Sequence, residues 1–288
     1  MPEPADIPAT KAKALLGQHG LRAKKGLGQH FLVDGRVLRR IVAAADLTPE
    51  DTVIEVGPGL GILTQELAQQ AGRVVAIEAD GEMVSALSAI VARHPNLAVV
   101  QGDIMRIDPV SLLPSPGGVS TSYKVVANIP YYITSAVLRH FLEASRQPRL
   151  MVVMVQKEVG KAIVAQPGDM SLLAVSIQFY GKPSIVARVP ARSFYPAPKV
   201  DSVILRIDVY DKPPVDVPSA RAFFDTVRAG FSAPRKQLRN SLAQGLAVGT
   251  QEAADLLERA VVDPRRRAET LSIEDWGRLC RERDRIES

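Results

Sequence analysis

The chain has 288 residues, 46% of them hydrophobic and 23% charged, with a formal net charge of +5. That length and balance fit one large globular domain plus a smaller one and exclude a fibrous or mostly disordered chain. The lone cysteine, Cys280, excludes an internal disulfide and a cysteine-rich zinc site, so no metal is expected. The basic excess favours a polyanionic partner.

Residues 1–10 carry three prolines and few large apolar side chains, a composition expected to stay disordered. This start has no apolar core of a secretory signal. The longest apolar run, residues 150–155, is far short of the roughly 20 residues a membrane helix needs. A cytoplasmic protein without membrane contact is the expectation. Residues 11–28 form a basic, glycine-punctuated arm. Over 34–45, Val37, Leu38, Ile41 and Val42 recur at helical spacing. Strands are then predicted at 52–56, 73–77, 97–100, 123–127 and 150–155, with helices at 60–70 and 82–92. Continuous apolar strands separated by amphipathic helices predict an α/β fold, its parallel sheet covered on both faces. Residues 184–189 and 200–209 read as a final antiparallel pair. A proline-rich linker at 211–218 precedes helices over 220–231, 235–246, 251–260 and 273–283. Two domains follow, 1–210 and 211–288, the second small and all-α.

The first strand runs into Gly57-Pro58-Gly59-Leu60-Gly61 and then a helix. Glycines let a backbone approach a ligand closely and adopt positive φ. The dinucleotide fingerprint G-x-G-x-x-G would need glycine where Ile62 stands, so the loop fits a ligand lacking a pyrophosphate. S-adenosylmethionine, a nucleoside with an amino-acid tail, is the natural candidate. Glu78 ends the second strand about 20 residues after the glycines, where an acid accepts from ribose hydroxyls. Asp103, after the third strand, suits the adenine amine. Gly57, Glu78, Asp103 and Asn128 all fall at carboxyl ends of successive strands, where open α/β sheets bind ligands.

The fourth strand closes on Asn128-Ile129-Pro130-Tyr131-Tyr132. An amide oxygen accepts hydrogen bonds from an exocyclic amine. Pro130 fixes φ and removes a donor, and a tyrosine ring can stack on a base. Alone, the stretch reads equally well as a strand end with a proline turn. Tyr131 is the expected stacking ring and Tyr132 is expected in the core.

Three groups of residues carry a family resemblance. They are Lys25-Gly26-Leu27-Gly28-Gln29-His30-Phe31-Leu32, Ile54-Glu55-Val56-Gly57-Pro58-Gly59-Leu60-Gly61 and Asn128-Ile129-Pro130-Tyr131-Tyr132. With Gln156-Lys157-Glu158-Val159, Phe194-Tyr195-Pro196-Ala197-Pro198-Lys199-Val200-Asp201-Ser202 and residues 231–242, the chain resembles the ribosomal RNA adenine N6,N6-dimethyltransferases, bacterial small-subunit type. The resemblance runs from about residue 11 to the C-terminus. It implies a Rossmann-like class I S-adenosylmethionine-dependent methyltransferase fold with a mostly parallel seven-stranded sheet. The implied target is a pair of adjacent adenosines near the 3′ end of 16S rRNA in the small ribosomal subunit, modified during ribosome biogenesis by a monomer. Cofactor contacts are implied at His30, Leu32, Gly57, Gly59, Glu78, Asp103 and Asn128. The catalytic set is implied at Asn128, Pro130 and Tyr131, with Phe194 sandwiching the base against Tyr131. Many relatives carry asparagine at the position of His30, which leaves that side chain's contact open.

Basic clusters at Lys24-Lys25, Arg235-Lys236-Gln237-Leu238-Arg239 and Arg265-Arg266-Arg267 suit phosphate contact. Lys24, Lys25, Arg235, Lys236 and Arg239 are the expected RNA contacts, and the second domain the RNA-contacting one. Gln156-Lys157-Glu158 reads equally as a charged turn or as support for the site. His94 and His140 are expected to be structural or surface residues, and Trp276 and Leu279 to pack the small helical domain. Three other functions compete: a 23S rRNA methyltransferase of the macrolide-resistance type, a non-catalytic small-subunit assembly factor, and a DNA or glutamine methyltransferase using Asn-Pro-Pro-Tyr. Ile129 in place of the first proline, with the basic helical tail, argues against the last.

Overall fold

The computed structural model describes Gly17 and residues 29–113 and 122–287; the arm holding Lys24 and Lys25 lies outside the described residues. The chain divides into two units, one running to Gly160 and resuming at Ser184–Val209, the other combining Lys161–Pro183 with Tyr210–Ser288.

The strands are β1 (Phe31–Leu32), β2 (Thr52–Val56), β3 (Arg73–Glu78), β4 (Leu97–Gln101), β5 (Tyr123–Asn128), β6 (Leu150–Gln156), β7 (Gly181–Val189), β8 (Phe194–Tyr195) and β9 (Ser202–Val209). Seven of them build one sheet in the order β4-β3-β2-β5-β6-β9-β7. From β4 to β6 the pairings are parallel, and β9 runs antiparallel to β6. β1 and β8 form a separate antiparallel pair that no spacing predicted. Helices α1 (Gly35–Ala45), α2 (Ile62–Gln70), α3 (Gly81–Val91) and α4 (Thr134–Leu142) connect the strands, and α5 (Lys157–Ile163) follows β6. β2 is buried throughout, and β5 and β6 everywhere but their last residues. Continuous apolar strands require this when both faces of a sheet are covered.

Local signals set the ends of the helices. Asp34 caps α1 by accepting from the Arg36 N–H at 3.0 Å, and Asp46 ends it in the left-handed conformation. Val37, Leu38, Ile41 and Val42 form its buried stripe. α2 starts two residues later than its spacing predicted, because Gly59 and Gly61 hold φ of +53° and +70°. Chain order reverses between β2 and β5, so the connections from these strands leave in opposite directions and open a crevice at their carboxyl ends.

At the opposite end of β5, Lys124 is fully buried, its Nζ 2.8 Å from Asp51 and bonded to the carbonyls of Ala45 and Asp46. Arg149 holds the other carboxylate oxygen at 2.6 Å. Burial alone would raise the Asp51 pKa. The bonds from Lys124 and the Thr48 N–H, with the charges of Lys124 and Arg149, outweigh it and leave the carboxyl below its ordinary value.

In the second unit, α6 (Leu172–Gln178), α7 (Ala220–Gly230), α8 (Leu238–Leu246), α9 (Thr250–Arg259) and α10 (Ile273–Glu287) enclose their own core. Trp276 and Leu279 are fully buried there. Residues 161–183, assigned above to the first domain, group with this unit because Met170, Ala174, Val175 and Phe179 join its core. The Phe179 ring stacks on Phe223 at 4.3 Å between centroids. The predicted helix 235–246 begins only at Leu238. Pro234 disfavours helix in the residue before it, and Arg235 and Lys236 occupy a turn closed from the Lys236 N–H to the Ala233 carbonyl. Among the described residues no helix is long and apolar enough to cross a membrane, and no cluster of side chains could hold a metal ion.

Asp51→Ala should destabilise the protein by about 3 kcal/mol in urea unfolding, since it leaves a buried ammonium without a counter-ion. Lys124→Met, which leaves Asp51 with Arg149, should cost less. Stability from Asp51 should be complete above its unfolded pKa near 3.8 and disappear as pH falls through the lower folded value. Equal losses in the two variants would contradict this ordering.

Candidate active site

A cavity of about 340 Å³ opens at the carboxyl ends of β2, β3 and β5. His30, Leu32, Gly57, Gly59, Glu78, Asp103, Asn128, Pro130 and Tyr131 all line it.

The glycine loop is held in a shape that side chains would obstruct. Gly57, Gly59 and Gly61 all have φ between +53° and +70°. A Cβ on Gly59 would sit 3.0 Å from the Phe31 ring, and one on Gly61 only 2.4 Å from Ile90. Glu78 braces the loop from β3. One carboxylate oxygen accepts the Gly59 N–H at 3.2 Å and the other the Asp80 N–H at 2.9 Å. Burial raises the Glu78 pKa and these main-chain bonds oppose the rise. Each oxygen keeps a further lone pair for a ligand hydroxyl. Asp103 is exposed at the rim, capping a 3₁₀ turn by accepting from the Met105 N–H at 2.9 Å.

On the floor, Glu55 of β2 is 1% exposed and also lines the cavity. Its Oε2 has no hydrogen-bond partner among the described residues. Burial pushes its pKa up to about 8; the nearby Thr64 hydroxyl opposes that, and the charge of Glu78 adds to it.

Asn128 shows which half of its amide serves the cavity. Its Nδ2 donates to the His30 carbonyl at 3.0 Å. A carbonyl can only accept, so this bond fixes the amide orientation and leaves Oδ1 as the acceptor for a ligand. Pro130, at φ −54°, opens the 3₁₀ turn Tyr131–Ile133, and its carbonyl accepts the Ile133 N–H at 3.1 Å. The Tyr131 hydroxyl lies 2.6 Å from Ser202 Oγ. Burial raises the Tyr131 pKa and the Ser202 bond opposes it, so the phenol stays neutral near pH 7. The His30 ring stacks on Tyr131 with centroids 5.8 Å apart and planes at 24°. His30 Nδ1 is 2.7 Å from the Pro196 carbonyl and therefore carries the proton. The His30 side chain thus supports Tyr131 and ties the β1 segment to the loop after β8.

Several expectations are corrected. Phe194 does not reach the cavity; it is 3% exposed and packs in the core with Leu32 and Ile204. The β1–β8 register sets Phe194 beside Leu32 and Tyr195 beside Phe31, and the Phe194 ring packs on the core side of that pair. The sandwich of Phe194 against Tyr131 is not formed in this structure. Tyr132, expected in the core, is 67% exposed. Arg235, Lys236 and Arg239 belong to the second unit. Arg235 and Lys236 are exposed, whereas Arg239 is half-buried. Arg266 is a structural residue, bonded to Asp275 at 3.0 Å and to Thr270. The sequence reading missed Glu55 and Ser202. An acid inside an apolar strand was the available signal for Glu55, and membership of the Phe194 motif for Ser202.

A model of the ribosomal RNA adenine dimethylase family matches residues 20–282. The chain belongs to the ribosomal RNA adenine dimethylases. It is 53% identical over 270 residues to the ribosomal RNA small subunit methyltransferase A of Dehalococcoides mccartyi, covering 94% of this chain and 91% of that one. The enzyme of the same name from Moorella thermoacetica is 42% identical over 274 residues, covering 93% and 95%. Among solved structures, a dimethyladenosine transferase from Plasmodium falciparum superposes with a TM-score of 0.77 at 25% identity, covering 90% and 98%. The 23S rRNA methyltransferase ErmE gives 0.69 at 29% identity, covering 88% and 99%. The fold is therefore that of the class I methyltransferases, and this adenine dimethylase carries the helical unit as well.

A carboxyl whose folded pKa is raised favours folding least where the unfolded chain is already ionised. The wild type should therefore lose stability as pH rises from about 4.5 through about 8. Glu55→Gln should flatten that part of the stability profile in thermal unfolding. An unchanged slope would show Glu55 to be ionised in the folded protein.

Proposed function

We propose that this chain transfers methyl groups from S-adenosylmethionine to the N6 amines of two adjacent adenosines near the 3′ end of 16S rRNA, giving N6,N6-dimethyladenosine, in the cytoplasm and as a monomer. The observation that carries the reading is the oriented amide of Asn128, its oxygen left for an amine and its nitrogen fixed to His30.

The cavity residues fit the methyl donor. The left-handed glycine loop leaves room for a close ligand. Glu78 and Asp103 offer acceptors for ribose hydroxyls and the adenine amine, and the orphaned oxygen of buried Glu55 offers another for a cationic ammonium. When bound, S-adenosylmethionine supplies a methyl group already activated on a sulfonium.

The remaining work falls to the protein's own groups. The N6 lone pair of adenine is delocalised into the ring and is a poor nucleophile. Hydrogen bonds from the amine to Asn128 Oδ1 and to a main-chain carbonyl at the Ile129-Pro130 step localise that pair and aim it. Orientation supplies much of the rate, and no strong base is needed because the alkylated nitrogen becomes acidic and loses its proton to solvent. Tyr131, anchored by Ser202 and His30, offers a ring for the base, which offsets the few kcal/mol spent in turning the nucleotide out of its stack. Arg235, Lys236 and Arg239, with Lys24 and Lys25 of the arm, supply phosphate contacts. The identity of 53% to a small-subunit enzyme, against 29% to a 23S enzyme, supports the small-subunit target.

Tritiated methyl transfer should label undermethylated 30S subunits at adenosine and leave 50S subunits and duplex DNA unlabelled. Asn128→Ala should abolish the transfer while cofactor binding stays detectable. Removing Arg235, Lys236 and Arg239 together should weaken subunit binding and flatten its salt dependence. Near-normal turnover by Asn128→Ala would overturn the assignment, labelling of 50S alone would favour the 23S-type reading, and binding without any transfer the assembly-factor one.

A further inference from the structure

Tyr132 is the only exposed aromatic side chain among the described residues, at 67%. It occupies the middle of the 3₁₀ turn Tyr131–Ile133, whose three residues all line the cavity. Tyr123 and Tyr131 tether their hydroxyls, to the Arg146 carbonyl at 3.0 Å and to Ser202 at 2.6 Å. Tyr132 has no hydrogen-bond or ring partner among the described residues, so packing does not explain the ring. Met105, 37% exposed, lines the same cavity from the turn after β4 and gives the rim a second apolar group. Tyr132 and Met105 thus leave two apolar groups uncovered at the mouth of one cavity, where a ligand can meet both.

We propose that Tyr132 is the stacking platform for the nucleotide next to the adenosine held in the cavity. The proposal rests on the adenosine reading above and adds a contact outside the catalytic set. Turning one adenosine out of a strand leaves its neighbour with an uncovered face. Single-stranded RNA is taken up by stacking such faces on aromatic side chains, with little dependence on base identity. Tyr131 and Tyr132 are consecutive in a turn that lines the cavity, so a second ring stands beside the one offered to the target base. With two adjacent adenosines as substrate, a ring fixed on one side of the cavity receives the second adenosine in one of the two modifications and a flanking nucleotide in the other. The unpartnered hydroxyl has no part in this; the ring face does.

The test uses the full chain and undermethylated 30S subunits at varied concentration, with cofactor affinity measured separately by calorimetry. Tyr132→Ala should raise KM for subunits about tenfold or more, while kcat at saturating subunits and S-adenosylmethionine affinity stay near wild type. Tyr132→Phe and Tyr132→Trp should both restore KM. Unchanged KM in Tyr132→Ala overturns the proposal. So does a fall confined to kcat or to cofactor affinity, which would place the ring at the donor, and so does failure of the phenylalanine variant to rescue. Absence of transfer by the wild-type chain would overturn the adenosine reading itself, and the proposal with it.

Discussion

Asn128 ends a buried parallel strand with one half of its amide committed to the main chain of His30, in a segment that precedes the whole sheet in sequence. Everything chemical in the site depends on that bond. It fixes which polar atom meets the cavity, and it makes the strand end and the β1 segment a single structural element. The same β1 segment pairs with β8, and its His30 ring reaches the Pro196 carbonyl and the face of Tyr131. Ser202, at the start of β9, closes the arrangement through the Tyr131 hydroxyl. Parts of the chain about 170 residues apart therefore converge to hold one amide and one ring.

The sheet supplies the frame for this. Reversal of strand order between β2 and β5 opens the crevice, and the parallel direction of the strands delivers Gly57, Glu78 and Asn128 to the same edge. Glu78 serves twice, bracing the Gly59 N–H and keeping lone pairs for a ligand. Phe31 has two duties as well. It pairs with Tyr195 across β1 and β8, and its ring lies where any side chain at residue 59 would have to go. Substitution at Gly59 would thus strain the loop and displace the strand that orients Asn128.

Much of this was legible in the sequence, for physical reasons. A buried parallel strand is largely apolar, so β2, β3, β5 and β6 stand out as runs, each within a residue of its observed limits. The strand-end residues could then be placed together by topology alone. Short pairings carry no such signal: β1 and β8 are two residues each, and only the structure shows Phe194 on the core side of that pair. Tyr132 was misjudged because an apolar ring after a buried strand is usually packed, and no periodicity marks a three-residue turn. The placement of residues 161–183 in the helical unit was hidden because β7 returns the chain to the sheet before the proline-rich linker.

The central claim is that Asn128 presents an oxygen, never an amino group, to the substrate amine. A crystal structure of the full chain with S-adenosylhomocysteine and adenosine tests it most directly. The adenosine N6 should lie within about 3.2 Å of Asn128 Oδ1, with Nδ2 still bonded to the His30 carbonyl. An N6 placed away from Oδ1, or an amide released from His30, would contradict it.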